Sequence, residues 1–217
     1  MPPADGLALR RERRKDARPG ELLDAALALF VEKGYAATRV EEVARQAGVS
    51  KGTLFLYFDS KESLFKAVVR QNISGHFSCL SHELSSFQGD SAELLRHFMG
   101  FWWQRIGATK ASGIGKLIMS EASNFPELAS FYRQEVIEPG VGLIQRILQR
   151  GIERGEFRAI NPTYGAFTIL APMLFLATWK HSMGACTTGF DWVPQDYLAT
   201  QIETLLHGLC IASDSHS

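Results

Sequence analysis

The residues with the clearest chemical purpose lie between Thr38 and Lys61, in the run TRVEEVARQAGVSKGTLFLYFDSK. Ala44, Gly48, Val49 and Ser50 fall there in one compact group. Two helices joined by a tight turn must cross closely, which explains a small residue at Ala44. Gly48 admits the left-handed backbone of a sharp turn, Val49 plugs the corner, and Ser50 caps the helix that follows. Leu54 and Phe58 are four apart and point inward. Lys51, Gly52, Phe55 and Leu56 then share the outward face. A lysine beside exposed apolar groups suits the major groove of DNA. The ammonium reaches guanine edges or phosphates, and the apolar groups meet thymine methyls. Gly52 removes a side chain where the backbone would approach a base or phosphate. For Phe55 and Leu56 alone, burial in a larger core is the plainer alternative.

The elements that must hold this group read as helices nearly throughout. The expected fold is all-α with about nine helices: a three-helix head followed by a helical second domain. Three segments are expected: a flexible basic arm over 1–18, a helix-turn-helix domain over 19–66, and an effector-binding and dimerisation domain over 67–217. Pro19 suits the first position of a helix whose stripe is Leu22, Leu23, Ala26, Leu29 and Phe30, closed by Gly34. Thr38 and Glu41 read as a capping box for the second helix, and Ser60 as the cap of the fourth. Asp90 and Glu93 read as another box. A break is expected at Glu138-Pro139-Gly140. Asn161-Pro162 opens a helix to about Met183, and Pro194 opens the last.

At this point the chain resembles the tetracycline-repressor (TetR/AcrR-type) family over residues 19 to 66. The resemblance rests on Ala25-Ala26-Leu27-Ala28-Leu29-Phe30 with Lys33-Gly34-Tyr35, on Val43-Ala44, on Ala47-Gly48-Val49-Ser50-Lys51-Gly52-Thr53-Leu54, and on Tyr57-Phe58 with Ser60-Lys61-Glu62 and Leu64. It implies a DNA-binding head, a helical effector domain, dimerisation through the last two helices, and repression relieved by a small ligand. Position by position, it implies that Thr38 and Lys61 touch phosphate at helix starts and that Tyr57 does so too. It implies that Lys51, Gly52, Thr53, Phe55 and Leu56 read the groove. Arg39 and Ser50 complete the expected DNA-binding set. Phe55 stands where a tyrosine is common, so a phenolic hydrogen bond is missing. Leu56 is apolar where many members are polar or aromatic.

Composition bounds the function. Net formal charge is zero, yet Arg10 to Arg18 holds six basic residues against Glu12 and Asp16, and the remainder is acidic to match. Such an arm follows phosphates or enters a minor groove, or is a solvated tail. The three scattered cysteines, Cys79, Cys186 and Cys210, read as reduced buried thiols. No signal peptide or membrane span is evident, so a cytoplasmic protein without membrane contact is expected. The second half is rich in aromatics, with His97, Glu121, Asn124 and His181 among them. An effector pocket of Phe98, Trp102, Met119, Phe131, Phe175 and Trp179 is expected. A dimer interface is expected from Phe167, Leu174, Leu198, Ile202, Leu205 and Leu209. The expected partners are double-stranded operator DNA, a second copy of the chain and a small, largely apolar or aromatic effector. No catalytic residue, cofactor or metal site is expected. Two alternatives remain. Phe55 and Leu56 would be the docking patch of a helical protein-interaction module. Less favoured, His97, His181 and Glu121 would form the acid/base site of a ligand-transforming enzyme.

Overall fold

A computed structural model describes residues 5–183 and 193–210, with side chains from residue 19 onward. The side chains of the basic arm, Cys186 and Trp192 lie outside the described residues. The chain divides into two compact units, residues 1–71 and 72–217.

The first unit holds α1 (Asp5–Ala37), α2 (Val40–Gln46), α3 (Lys51–Phe55) and α4 (Lys61–Val69). Helix α1 begins well before Pro19, which sits inside it. The Arg-, Leu- and Ala-rich run ahead of Pro19 is made of good helix formers, and propensity over that length outweighs one proline. Gly34 takes φ 84° and breaks the helical backbone near the end of α1. The core is aromatic at its centre. Phe30 and Phe65 are fully buried and meet edge to face at 5.3 Å, with Tyr35 5.7 Å from Phe30 and 5.5 Å from Phe65. Each such ring contributes roughly 1.5–3 kcal/mol by burial. Val43, Ala44, Leu54, Leu64 and Val68 close around it.

The second unit holds α5 (Gly75–Ser86), α6 (Ser91–Trp102), α7 (Gly113–Glu121), α8 (Pro126–Tyr132), α9 (Glu138–Glu153), α10 (Pro162–Ser182) and α11 (Pro194–Leu209). Asp90 caps α6 by accepting from the Glu93 N–H at 2.7 Å, and Asn161 caps α10. The expected break at Glu138-Pro139-Gly140 is absent. Arg133–Ile137 instead forms a π turn that carries α8 into α9. A proline cannot donate to the previous turn and crowds its carbonyl, and widening the helix ahead of it relieves both. Arg70–Ser74 is a second π turn, between α4 and α5. With segments joined by π turns counted as one, the described residues form nine helices and no strand. Cys79 and Cys210 are exposed, not buried as expected, because each falls on the solvent side of its element.

Candidate DNA interface and effector cavity

The turn between α2 and α3 is built as its residues require. Gly48 has φ 69°, and Val49 N–H returns to the Ala44 carbonyl at 2.9 Å. Ser50 Oγ accepts from the Thr53 N–H at 3.0 Å and pairs with the Thr53 hydroxyl at 2.9 Å. Leu54 is fully buried and anchors α3 in the core. Its opposite face is open: Lys51, Gly52, Phe55, Leu56 and Tyr57 are exposed, Leu56 at 82%. No core covers Leu56, so burial is not its role. Gly52 has only Ser50 Oγ near, 3.7 Å from where a Cβ would stand. The fold itself would accept a side chain there. The absent side chain leaves space on the outside.

Lys51 Nζ donates to Glu41 Oε1 at 2.6 Å and lies 5.7 Å from the Phe55 ring centre. The hydrogen bond from Lys51 holds the Glu41 carboxyl below its ordinary range. Both side chains are about half exposed, so the pair is weak in water and open to exchange for a stronger anion. Lys33 joins Glu42 at 3.2 Å and fastens α1 to α2.

Two residues expected at phosphate are occupied within the head. Thr38 is buried, and α2 begins after Arg39, so the expected capping box does not form. The Thr38 hydroxyl donates to the Gly34 carbonyl at 2.7 Å, with the Leu29 carbonyl at 3.2 Å. A threonine satisfied by the end of the previous helix has no proton left for α2. Lys61 Nζ donates to the carbonyls of Tyr35, Thr38 and Ala36 at 2.8, 3.1 and 3.2 Å, and sits 4.4 Å from the Tyr35 ring centre. It closes the exposed end of α1. Arg39 and Ser50 remain at the surface.

The second unit contains an apolar cavity of about 130 Å³. Helices α5 to α10 all contribute to its wall. Phe98, Trp102 and Met119 line it, as does Leu174, which was expected at an interface. Phe131 is buried but off the wall. Phe175 is 47% exposed and meets Trp179 in a tilted ring pair at 5.8 Å, also off the wall. His76, Ser112, Gly115 and Tyr132, none of them among the expected pocket residues, also line it. Gly115, unexplained inside a helix, was the available signal. His97 pairs with Glu83 at 2.8 Å and His181 with Ser112 at 2.8 Å. These histidines therefore belong to separate pairs. Of the expected interface, Phe167 is 49% exposed, Ile202 and Leu205 are half-buried, and Leu198 and Leu209 are buried in the subunit itself.

The family described as bacterial regulatory proteins, tetR family, matches residues 22–68. The tetracyclin repressor-like C-terminal domain matches residues 85–183. The HTH-type transcriptional repressor KstR2 of Rhodococcus jostii is 28% identical over 94% of this chain and 96% of its own length. The HTH-type transcriptional regulator RutR of Escherichia coli is 47% identical over 62 residues, 29% of each chain. The transcriptional regulator FadR of Bacillus subtilis, solved with stearoyl-CoA, superposes with a TM-score of 0.62 at 19% identity, over 87% of this chain and 97% of that one.

Proposed function

The chain belongs to the tetR family of bacterial regulatory proteins, and from that membership we propose that it is a repressor that binds a palindromic operator as a homodimer and is released by a small, largely apolar effector. That it is a ligand-responsive, DNA-binding regulator of transcription follows from the family; repression, the dimer and the effector's character are our reading. The observation that carries it is the outward face of α3. Lys51, Gly52, Phe55 and Leu56 are exposed on a helix whose other side is pinned by Leu54 and whose start is fixed by Ser50. A rigid short helix with a cation, a bare backbone patch and apolar groups is what groove reading needs. Arg39, Thr53 and Tyr57 flank that face and extend it toward the phosphates.

The cavity of the second unit is read as the effector site, and the molecule as a binder and not a catalyst. The FadR relative was solved with an acyl ligand, which supports an apolar effector here. No helix among the described residues is long and apolar enough to cross a membrane, consistent with work on cytoplasmic DNA. The homodimer reading is supported by the apolar stripe that α10 leaves at the surface, Tyr164, Phe167 and Phe175.

Fluorescence anisotropy with labelled DNA from the protein's own promoter region, against random DNA at two salt concentrations, tests the reading. Specific binding that weakens steeply with salt is expected. Salt-insensitive association with protein but not DNA would favour the interaction-module alternative for Phe55 and Leu56.

A further inference from the structure

We propose that the cavity takes an uncharged, mostly apolar ligand of roughly ten heavy atoms carrying one hydrogen-bond-accepting oxygen, which the Tyr132 hydroxyl receives; this rests on the reading of the cavity as the effector site. The size follows from the volume, since each water-sized body needs about 10–15 Å³ of such space. The lack of charge follows from the wall. No Asp, Glu, Lys or Arg lines the cavity among the described residues. An ion taken there would lose its hydration without a partner, and that penalty selects against carboxylates and amines.

The wall's polar groups narrow the choice further. Ser112 Oγ lies 2.9 Å from the Thr109 carbonyl and 2.8 Å from His181 Nε2, and its single proton goes to one of the two. Ser112 has no proton left for a ligand. Burial and the nearby Lys180 and Lys116 push His181 below its ordinary value and keep that ring neutral. His76 is likewise pushed down, by burial and then by Arg105, and rests edge-on to Phe101. Tyr132 differs from Ser112 in having its proton uncommitted. It is buried, burial pushes its phenol far up so that it stays protonated, and its hydroxyl makes no hydrogen bond among the described residues. A donor that faces an apolar cavity without a protein acceptor is open to a ligand oxygen, which would take the place of water there. Gly115 holds the space open beside it: a Cβ at that position would stand 3.8 Å from the Tyr132 hydroxyl.

Isothermal calorimetry on the full chain, without DNA, with 2-decanone, decane, sodium decanoate and decylamine tests this. The ketone is expected to bind at least tenfold tighter than the acid or the amine, and about fivefold tighter than decane. Tyr132→Phe should erase the preference over decane while leaving decane binding in place. Gly115→Leu, which fills the space beside the hydroxyl, should abolish ketone binding. Equal or tighter binding of decanoate or decylamine would overturn the proposal. So would no binding of the ketone, or a ketone preference that survives Tyr132→Phe. Since DNA is absent, these outcomes are separate from failure of the regulator reading, which would show as loss of salt-sensitive binding to promoter DNA.

Discussion

Lys61 shows how one side chain can carry a fold and a family likeness at once. Its position matches a lysine expected to touch phosphate. Its ammonium is nevertheless directed at three backbone carbonyls at the end of α1. Charge-assisted hydrogen bonds of this kind are worth about 1.5–3 kcal/mol each at best, and less where water competes. Lys61→Ala should therefore destabilise the protein by about 1–3 kcal/mol, read as a lower midpoint in urea. An unchanged midpoint, with a salt slope for DNA binding reduced by about one per subunit, would return Lys61 to phosphate. Lys51 is the contrasting case, held by half-exposed Glu41 and the exposed Phe55 ring. Exchanging that carboxylate for a guanine edge costs little, so Lys51→Ala should lose ~1–3 kcal/mol at one symmetric pair of operator positions. An operator library decides this. Equal losses on specific and random DNA would leave base reading to Thr53, Phe55 and Leu56.

At the scale of helices, glycines separate what the sequence spells out from what only packing reveals. Gly48 was legible because its neighbours Ala44, Val49 and Ser50 are local, and its φ of 69° answers that local pattern. Helix α9 carries three glycines, and Gly142 and Gly151 look alike in sequence. A Cβ on Gly142 would meet nothing, while one on Gly151 would lie 2.2 Å from the ring of buried Phe157. Gly142→Ala should stabilise the protein by up to about 1 kcal/mol through helix propensity. Gly151→Ala should cost about 1–3 kcal/mol, because that ring must move within a close-packed core. Thermal denaturation of both variants checks the opposite signs. The cavity was half legible for the same reason. The aromatic content of the second half pointed to Phe98, Trp102 and Phe131 as pocket residues. It could not tell that Phe131 meets other side chains while Tyr132, one residue on, meets empty space. That difference is set by six helices drawn from residues 73 to 177, not by any local window. Pro139 misled in the opposite way, since a local rule for breaking helices was met by a π turn instead.

For the whole molecule, the question is what covers α10. Tyr164, Phe167, Ala171 and Phe175 are exposed at spacings that place them on one stripe, with Tyr164 at 72%. The neighbouring α11 shows mainly polar groups outward, among them Thr200, Glu203, Thr204 and His207. Leu198 and Leu209 are buried in their own subunit, so charging them would test folding and not association. Phe167 and Phe175 are the informative pair, because neither anchors the subunit's own core. A second copy related by two-fold symmetry would bury the same stripe from both sides. The double substitution Phe167→Glu and Phe175→Glu would then place four unpaired carboxylates in that contact, each strongly unfavourable when desolvated. Sedimentation should show a dimer for the wild-type chain and a monomer for the variant at micromolar concentration, with thermal stability of the variant near that of a dissociated wild type. Operator binding should fall at least a hundredfold with the dimer, since a recognition helix of five residues reaches few bases and a palindrome rewards two heads together. A wild-type monomer that still bound a palindrome tightly would show that α10 is covered by something other than a second copy.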